Sequence, residues 1–309
     1  MSEKALGTLP NFFIIGAGKS GTTSLDMYLN QHPDIFLPEV KEPNYFAYAH
    51  RTIDEFKDEE TILHYKTSVT SYEDYLGLFA TANVQKRIGD VSNTYMYMPG
   101  VLDNIQSTVP NAKYLAILRQ PAERLFSRYM HLVRVDKQPD GSFEDLFDRN
   151  SIWWERADLV KEGFYYRNLK TYFDAVPRAD IKILLHEDLL QKRDETLASI
   201  CEFLEVDPGF SFKATTIYNK SGTIKNQTLN KLIGNNSILI KRMRAIAPGI
   251  YQTIRNNAKF KDRIENMRNK NVQKQKLDKQ LKQKITSELY SEDIDNLSKL
   301  IDRDLSHWL

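Results

Sequence analysis

Asn11-Phe-Phe-Ile-Ile-Gly-Ala-Gly-Lys-Ser-Gly-Thr-Thr-Ser24 is the stretch whose reading decides the fold. Its first six residues form a short apolar run ending in glycine, the pattern of a strand buried in a parallel sheet. Gly16 to Ser24 make a turn rich in glycine and hydroxyls. Leu25-Asp-Met-Tyr-Leu29 then opens a helix, which His32-Pro33 and Pro38 stop. A glycine-rich turn between strand and helix is where a phosphate cradle belongs. Backbone N–H groups converge there on an anion, and the helix N-terminus adds its partial positive charge. Lys19 supplies a mobile cation, and Thr22, Thr23 and Ser24 supply hydroxyl donors.

Working outward, a second strand is expected at Lys113-Tyr-Leu-Ala-Ile-Leu118, followed by Arg119-Gln-Pro121 and a helix through Leu125, Tyr129 and Leu132. A third is expected at Ile181–Leu185, followed by His186-Glu-Asp-Leu189 and a helix from about Asp194 to Leu204. Strands alternating with helices imply an α/β protein with a parallel sheet flanked by helices. The phosphate loop is P-loop-like, but it is not a Walker A motif. Reading Gly18-Lys19-Ser20 as the end of G-x-x-x-x-G-K-[ST] requires glycine at position 13, where the chain has Phe13. The second strand also ends in Arg119 rather than in a magnesium-binding Asp, which weakens a Mg-ATP reading.

The chain has 309 residues, with 43 Lys+Arg against 41 Asp+Glu and a formal net charge of +2. That length suits one large α/β domain and a core that needs no staple. A single cysteine, Cys201, excludes a disulfide framework and a cysteine-based zinc site. The near-neutral balance argues against a surface built throughout for nucleic acid. Met1 to Pro10 contain no apolar leader core, and no run approaches the ~18–20 apolar residues of a membrane span. The expectation is a cytoplasmic protein with no membrane span. Its oligomeric state is not legible.

Two stretches differ in composition. Residues 137–168 carry Trp153, Trp154, Phe164, Tyr165 and Tyr166, which suit either a helical insertion with a core of its own or a lid that stacks on a ring. Residues 255–284 hold eleven Lys/Arg against three acids, a local charge of +8 that leaves −6 for the remainder. This is either a solvated charged helix or a platform for a polyanion. Ile294, Leu297, Leu300, Ile301, Leu305 and Trp308 recur at helical spacing and imply an amphipathic helix packed on the domain.

Lys19-Ser20-Gly21-Thr22-Thr23-Ser24-Leu25 resembles the K-x-G-T-[TS]-[SA]-L loop of the sulfotransferases that use 3′-phosphoadenosine 5′-phosphosulfate (PAPS), the bacterial and heparan-type carbohydrate enzymes above all. In that family the loop grips the 5′-phosphosulfate. Leu118-Arg119-Gln-Pro121, with Arg124, Ser127 and Tyr129, resembles the segment whose first Arg and Ser hold the 3′-phosphate. Gln120 stands where the family usually has Asp or Asn. Gly163-Phe-Tyr165, Glu187-Asp-Leu189, Phe203-Leu204 and Asp304–Trp308 resemble further landmarks. Lys220-Ser221-Gly222 resembles the late loop that closes over the nucleotide. The resemblance implies a single sulfotransferase domain over 1–309, with helical insertions, and a PAPS cosubstrate with no metal. Taken alone, Arg119 also suits a structural salt bridge, Ser127 a helix-surface serine, and Tyr165 or Tyr166 either an adenine cover or core.

On the acceptor side, Lys41-Glu42-Pro43-Asn-Tyr45-Phe46 resembles the K-E-P-x-[FY]-F segment of carbohydrate sulfotransferases, whose Glu is the catalytic base. In-line sulfuryl transfer needs a base for the acceptor proton and a cation for the leaving phosphate. Glu42 and Lys19 take those roles, with Glu39 a second carboxylate on the loop and His50 a reserve. Pro43 biases Glu42 toward extended geometry. Asp90-Val-Ser92-Asn-Thr94-Tyr95 resembles an acceptor-lining segment, with Asn93 in place of its proline. The implied function is PAPS-dependent sulfation of a hydroxyl or amine on a carbohydrate, one that is already anionic if the basic stretch contributes. A P-loop kinase of a small metabolite and a non-catalytic polyanion-binding protein are the alternatives.

Overall fold

The computed structural model describes residues 8–135, 137–214, 223–224, 272–273 and 275–309. The chain divides into two compact units. One comprises residues 1–125, 141–215 and 279–309, the other 126–140 and 216–278.

In the first unit β1 (Phe12–Gly16) lies at the centre of a five-stranded sheet. It is flanked by β2 (Ile35–Phe36) and β3 (Arg87–Val91) on one side, and by β4 (Lys113–Leu118) and β5 (Ile181–Leu185) on the other. The order is β2-β3-β1-β4-β5 and every pairing is parallel, with Ile14 opposite both Val91 and Leu115, and Leu118 opposite Leu185. The expected strands at β1, β4 and β5 form within a residue of where the apolar runs place them. Parallel pairing puts the carboxyl ends of β1, β3 and β4 side by side, which is where an open α/β sheet binds its ligand.

Strands β2 and β3 carried no such signal. Arg87-Ile-Gly-Asp-Val91 is broken by Gly89 and the buried Asp90, so it does not read as an apolar run. The glycine is required there: a Cβ at Gly89 would meet the Phe12 ring at 2.2 Å and Leu37 at 2.6 Å.

Helix α1 (Thr22–Leu29) follows β1 and buries Leu25, Tyr28 and Leu29 in a cluster with Ile14, Ile117, Leu184 and Leu197. The other elements used below are α2 (Glu59–Thr67), α3 (Pro121–Val135), α4 (Tyr165–Ala175), α5 (Lys279–Ile285) and α6 (Ser291–Ile301). As its spacing implies, α6 buries Ile294, Leu297 and Ile301.

Within the stretch 137–168 the helical pieces before α4 are short. Residues 143–163 are single turns, Phe143–Phe147, Ile152–Glu155 and Lys161–Gly163, and the buried Trp153 packs edge-on to Phe143 with ring centroids 5.3 Å apart. Asp148-Arg-Asn-Ser151 and Ala157-Asp158 interrupt any apolar spacing that could sustain a helix between the tryptophans. In the second unit, Thr223–Ile224 pairs antiparallel with Val272–Gln273. Most of the basic stretch 255–284 lies outside the described residues, as do Lys220, Ser221 and Gly222.

Candidate active site

The loop from Gly16 to Gly21 leaves β1 and enters α1 through left-handed steps, Lys19 at φ 66° and Gly21 at φ 110°. Ala17 donates its N–H to the carbonyl of Ile117 at 2.8 Å, fixing the loop to β4. Gly21 is the N-cap of α1 and no side chain caps this end. The first-turn N–H groups of Thr22 and Thr23 therefore keep their capacity to receive an anion. Ser20 and Thr22 are buried, while Lys19, Thr23 and Ser24 are half-buried.

One loop donor is already taken. Gly18 N–H donates to Glu162 Oε1 at 2.6 Å, and the other Glu162 oxygen accepts from Arg124 NH1 at 2.6 Å. Both side chains are buried, and Arg124 also donates to the carbonyls of Asp158 and Leu159. Sequence reading did not single out Glu162, whose one signal was a charged residue inside an aromatic run.

Tyr165 is fully buried, and its hydroxyl donates to the Arg119 carbonyl at 2.8 Å. Its ring is packed in the core, where the hydroxyl props the end of β4. His186 sits against the loop, with Cδ2 3.2 Å from where a Cβ at Gly21 would lie. Burial, then the charge of Arg119, pushes its pKa down to about 4.

Arg119, at the end of β4, contacts Glu123 Oε2 through NH2 at 3.1 Å, and Lys282 Nζ contacts Glu123 Oε1 at 2.7 Å. Burial alone would raise the Glu123 pKa, but Lys282 and Arg119 outweigh it and hold the carboxyl below its ordinary value. Ser127 is buried in α3.

The acceptor-side loop rests on the end of β3. Glu42 N–H donates to the Val91 carbonyl at 3.1 Å, and Asn44 Nδ2 donates to the Glu42 carbonyl at 2.6 Å. Asn44 N–H reaches Ser92 Oγ at 3.1 Å, and Ser92 Oγ donates to the buried Asp90 at 2.7 Å. Glu42 adopts φ 52° rather than the extended geometry expected before Pro43. Its two backbone hydrogen bonds outweigh the proline's bias.

The side chain of Glu42 is also held. Asn93 Nδ2 donates to its Oε1 at 2.6 Å, and the same nitrogen lies 3.7 Å from where a Cβ at Gly18 would be. On the other side, His64 Nε2 of α2 is 3.9 Å from Glu42 Oε2, and His64 Nδ1 is 3.2 Å from the Tyr48 hydroxyl. Lys41 pairs with Asp26, tying the Glu42 loop to α1. Glu39 and His50 are exposed. His64 was missed as a site residue because it is isolated in sequence and brought in by a separate helix, while Asn93 was expected only as a member of the acceptor-lining segment.

An anion cradle at one strand end thus stands beside a solvent-reaching carboxylate at the next. The profile of the sulfotransferase family matches residues 10–210, which include both. The chain belongs to the sulfotransferase family. It is 32% identical over 164 residues to the membrane-associated sulfotransferase kil1 of Dictyostelium discoideum, covering 52% of this chain and 30% of that protein. It is 25% identical over 233 residues to the bifunctional heparan sulfate N-deacetylase/N-sulfotransferase 3 of Mus musculus, covering 70% of this chain and 24% of that one. The chain therefore spans less than a third of the length of either of these relatives. The crystal structure of a sulfotransferase from Alicyclobacillus acidocaldarius matches with a TM-score of 0.69 at 26% identity, covering 97% of this chain and 99% of that one. Among the described residues, no helix of this sulfotransferase-family chain is long and apolar enough to cross a membrane.

Proposed function

We propose that the chain transfers the sulfuryl group of PAPS to a hydroxyl or amine of a carbohydrate, with Glu42 as base and Lys19 as the cation beside the leaving phosphate. One observation carries this reading. Asn93 donates to Glu42 at 2.6 Å and stands 3.7 Å from the Cβ position of Gly18, so base and phosphate loop lie within one side chain's reach.

The residues present fit the nucleotide. An uncapped helix N-terminus, Lys19 and the hydroxyls of Thr23 and Ser24 suit a 5′-phosphosulfate. Arg119, a quarter exposed, suits the 3′-phosphate. Ser127 is assigned to that phosphate, and Lys220, Ser221 and Gly222 to the covering loop, on the family resemblance alone. When bound, PAPS supplies an activated sulfuryl group whose departure leaves a phosphate oxygen. Glu42 takes the acceptor proton at Oε2, the oxygen that Asn93 leaves open. Lys19 and the α1 N-terminus steady the negative charge on the loop side. Sulfuryl transfer carries less charge than phosphoryl transfer, so these cations suffice without a metal.

The carbohydrate acceptor is supported by the Lys41-Glu42-Pro43 segment and by a relative named for heparan sulfate. The +8 of residues 255–284 supports an anionic one. A single buried cysteine, Cys201, supports a reducing, cytoplasmic setting.

The test is transfer of labelled sulfate from PAPS to heparin-like and neutral glycans, alongside calorimetry with adenosine 3′,5′-bisphosphate (PAP) and with Mg-ATP. Expected are metal-free PAP binding, transfer to a glycan, and loss of transfer but not of PAP binding in Glu42→Gln. A preference for Mg-ATP would favour a kinase. Polyanion binding without turnover, indifferent to Glu42→Gln, would favour a non-catalytic protein.

A further inference from the structure

The Arg119 guanidinium is not the lone cation at the end of β4. Glu123 has one carboxylate oxygen on Arg119 NH2 at 3.1 Å and the other on Lys282 Nζ at 2.7 Å. The two cations come from segments more than 160 residues apart, yet both nitrogens reach one small anion. Arg119 is 25% exposed and Lys282 33%, so both remain open to an anion from solvent. One carboxylate carries a single charge against two, and the cluster keeps an excess of +1.

The chain specifies this meeting through Gln120, which stands where Asp or Asn is usual. Its Oε1 accepts the Glu123 N–H at 2.9 Å, capping the start of α3 as the shorter side chain would. Its longer stem also lets Nε2 donate to Thr286 Oγ1 at 2.7 Å and to the Trp308 carbonyl at 3.1 Å. Thr286 Oγ1 in turn donates to the carbonyl of Lys282 at 2.9 Å. One amide thus fastens the segment carrying Lys282 to the residue next to Arg119.

We infer that Lys282 is a second nucleotide-binding cation, which joins Arg119 on the 3′-phosphate and is set in place by Gln120. The inference rests on the assignment of the 3′-phosphate to Arg119. A phosphate offers more charge and more acceptor oxygens than the Glu123 carboxylate, so it competes well for both cations. Neither Asp nor Asn at position 120 reaches Thr286 with the same geometry, so the second cation is a property of chains with the longer amide.

The experiment compares PAP with adenosine 5′-phosphate, which lacks the 3′-phosphate, by calorimetry on the whole chain. Lys282→Met keeps the aliphatic stem and removes the charge. It is expected to weaken PAP about tenfold, the scale of one charge-assisted hydrogen bond, to leave adenosine 5′-phosphate unchanged, and to lower stability by no more than the small contribution of a partly exposed ion pair. Lys282→Arg should restore PAP affinity. Gln120→Asn should give a smaller loss of the same kind, and adding it to Lys282→Met should cost nothing more. Equal loss for both nucleotides, or no loss for PAP, would overturn the role of Lys282 while leaving Arg119 in place. If Arg119→Ala itself fails to separate the two nucleotides, the assignment of Arg119 falls and the inference with it.

Discussion

Glu162 holds Gly18 through a 2.6 Å hydrogen bond from the loop's own N–H, and buried Arg124 neutralises the carboxylate from behind at 2.6 Å. An acid beneath an anion-binding loop would repel the ligand if it were unpaired. Paired, it acts as a tether. Removing Glu162 alone strands a buried guanidinium, so Glu162→Ala should lose about 3–5 kcal/mol in urea denaturation. The double variant Arg124→Met, Glu162→Met should recover most of that stability, since apolar pairs of similar volume replace buried ions well. Its PAP affinity should stay low, because the loop is no longer tied. Full recovery of PAP binding would refute the tether.

Gly18 faces the same contact from the other side. A Cβ there would lie 2.9 Å from Glu162 Oε1 and would push the carboxylate off its N–H. Gly18→Ala should therefore lower kcat/KM for PAPS about tenfold to a hundredfold, the usual result of misplacing a binding loop by an ångström. Pairing it with Glu162→Ala, which makes room, should add little. Additive losses would show that the two residues act separately.

Asp90 gives a pH dependence of definite sign. Burial is the main cause that raises its pKa from 3.8 to about 6, against hydrogen bonds from Ser92, Tyr75 and Tyr95 that lower it. Between pH 4 and 6 the folded chain holds a proton that the unfolded chain has released, so this group's contribution to stability falls as pH rises. The difference amounts to about 3 kcal/mol for a shift of this size. Asp90→Asn does not titrate, and its stability relative to wild type should climb by that order from pH 4 to pH 7. Burial likewise raises Asp293 to about 6, so Asp90→Asn should keep part of the fall. The double variant Asp90→Asn, Asp293→Asn should lose both carboxyl contributions and leave the opposite slope of His186, whose pKa is lowered to about 4. Parallel stability curves for wild type and Asp90→Asn would contradict the shift.

What the sequence made legible was whatever depends on local pattern. Phe12 to Ile15 and Tyr114 to Leu118 are uninterrupted apolar runs, and both are central strands. The phosphate loop was legible because its glycines and hydroxyls are consecutive. The end of β3 was not, since Gly89 and Asp90 erase the strand pattern for reasons set by Phe12, Leu37 and the hydroxyls of Tyr75 and Tyr95. Glu162 and His64 reach the site from separate elements, and no local rule marks a lone polar residue as arriving there, while Lys282 was legible only as one cation of the basic stretch. The geometry of Glu42 was misjudged for a related reason. The proline rule is local, while the hydrogen bond from its N–H to Val91 comes from another strand.

The Glu42 loop separates the roles of backbone and side chain in placing a base. Asn44 holds the loop's backbone: it donates to the Glu42 carbonyl, accepts from Thr94 at 2.7 Å and sits at φ 55°. The side chain of Asn93 reaches the carboxylate of Glu42 with a bond at 2.6 Å. Asn93→Ala should thus leave stability within about 1 kcal/mol, the worth of one hydrogen bond. It should cut kcat roughly tenfold with the KM for PAPS little changed, because the base loses its aim and the nucleotide loop keeps its own ties. Asn44→Ala should cost more of everything. Alanine at a left-handed position adds strain of about 1–2 kcal/mol, and the buried Thr94 hydroxyl and the Glu42 carbonyl both lose a partner. Asn44→Gly removes that strain but not the lost bonds, so it should recover stability ahead of turnover. If Asn44→Gly regains both together, the loop is placed by its backbone angles alone and the side-chain bonds of Asn44 are incidental to catalysis.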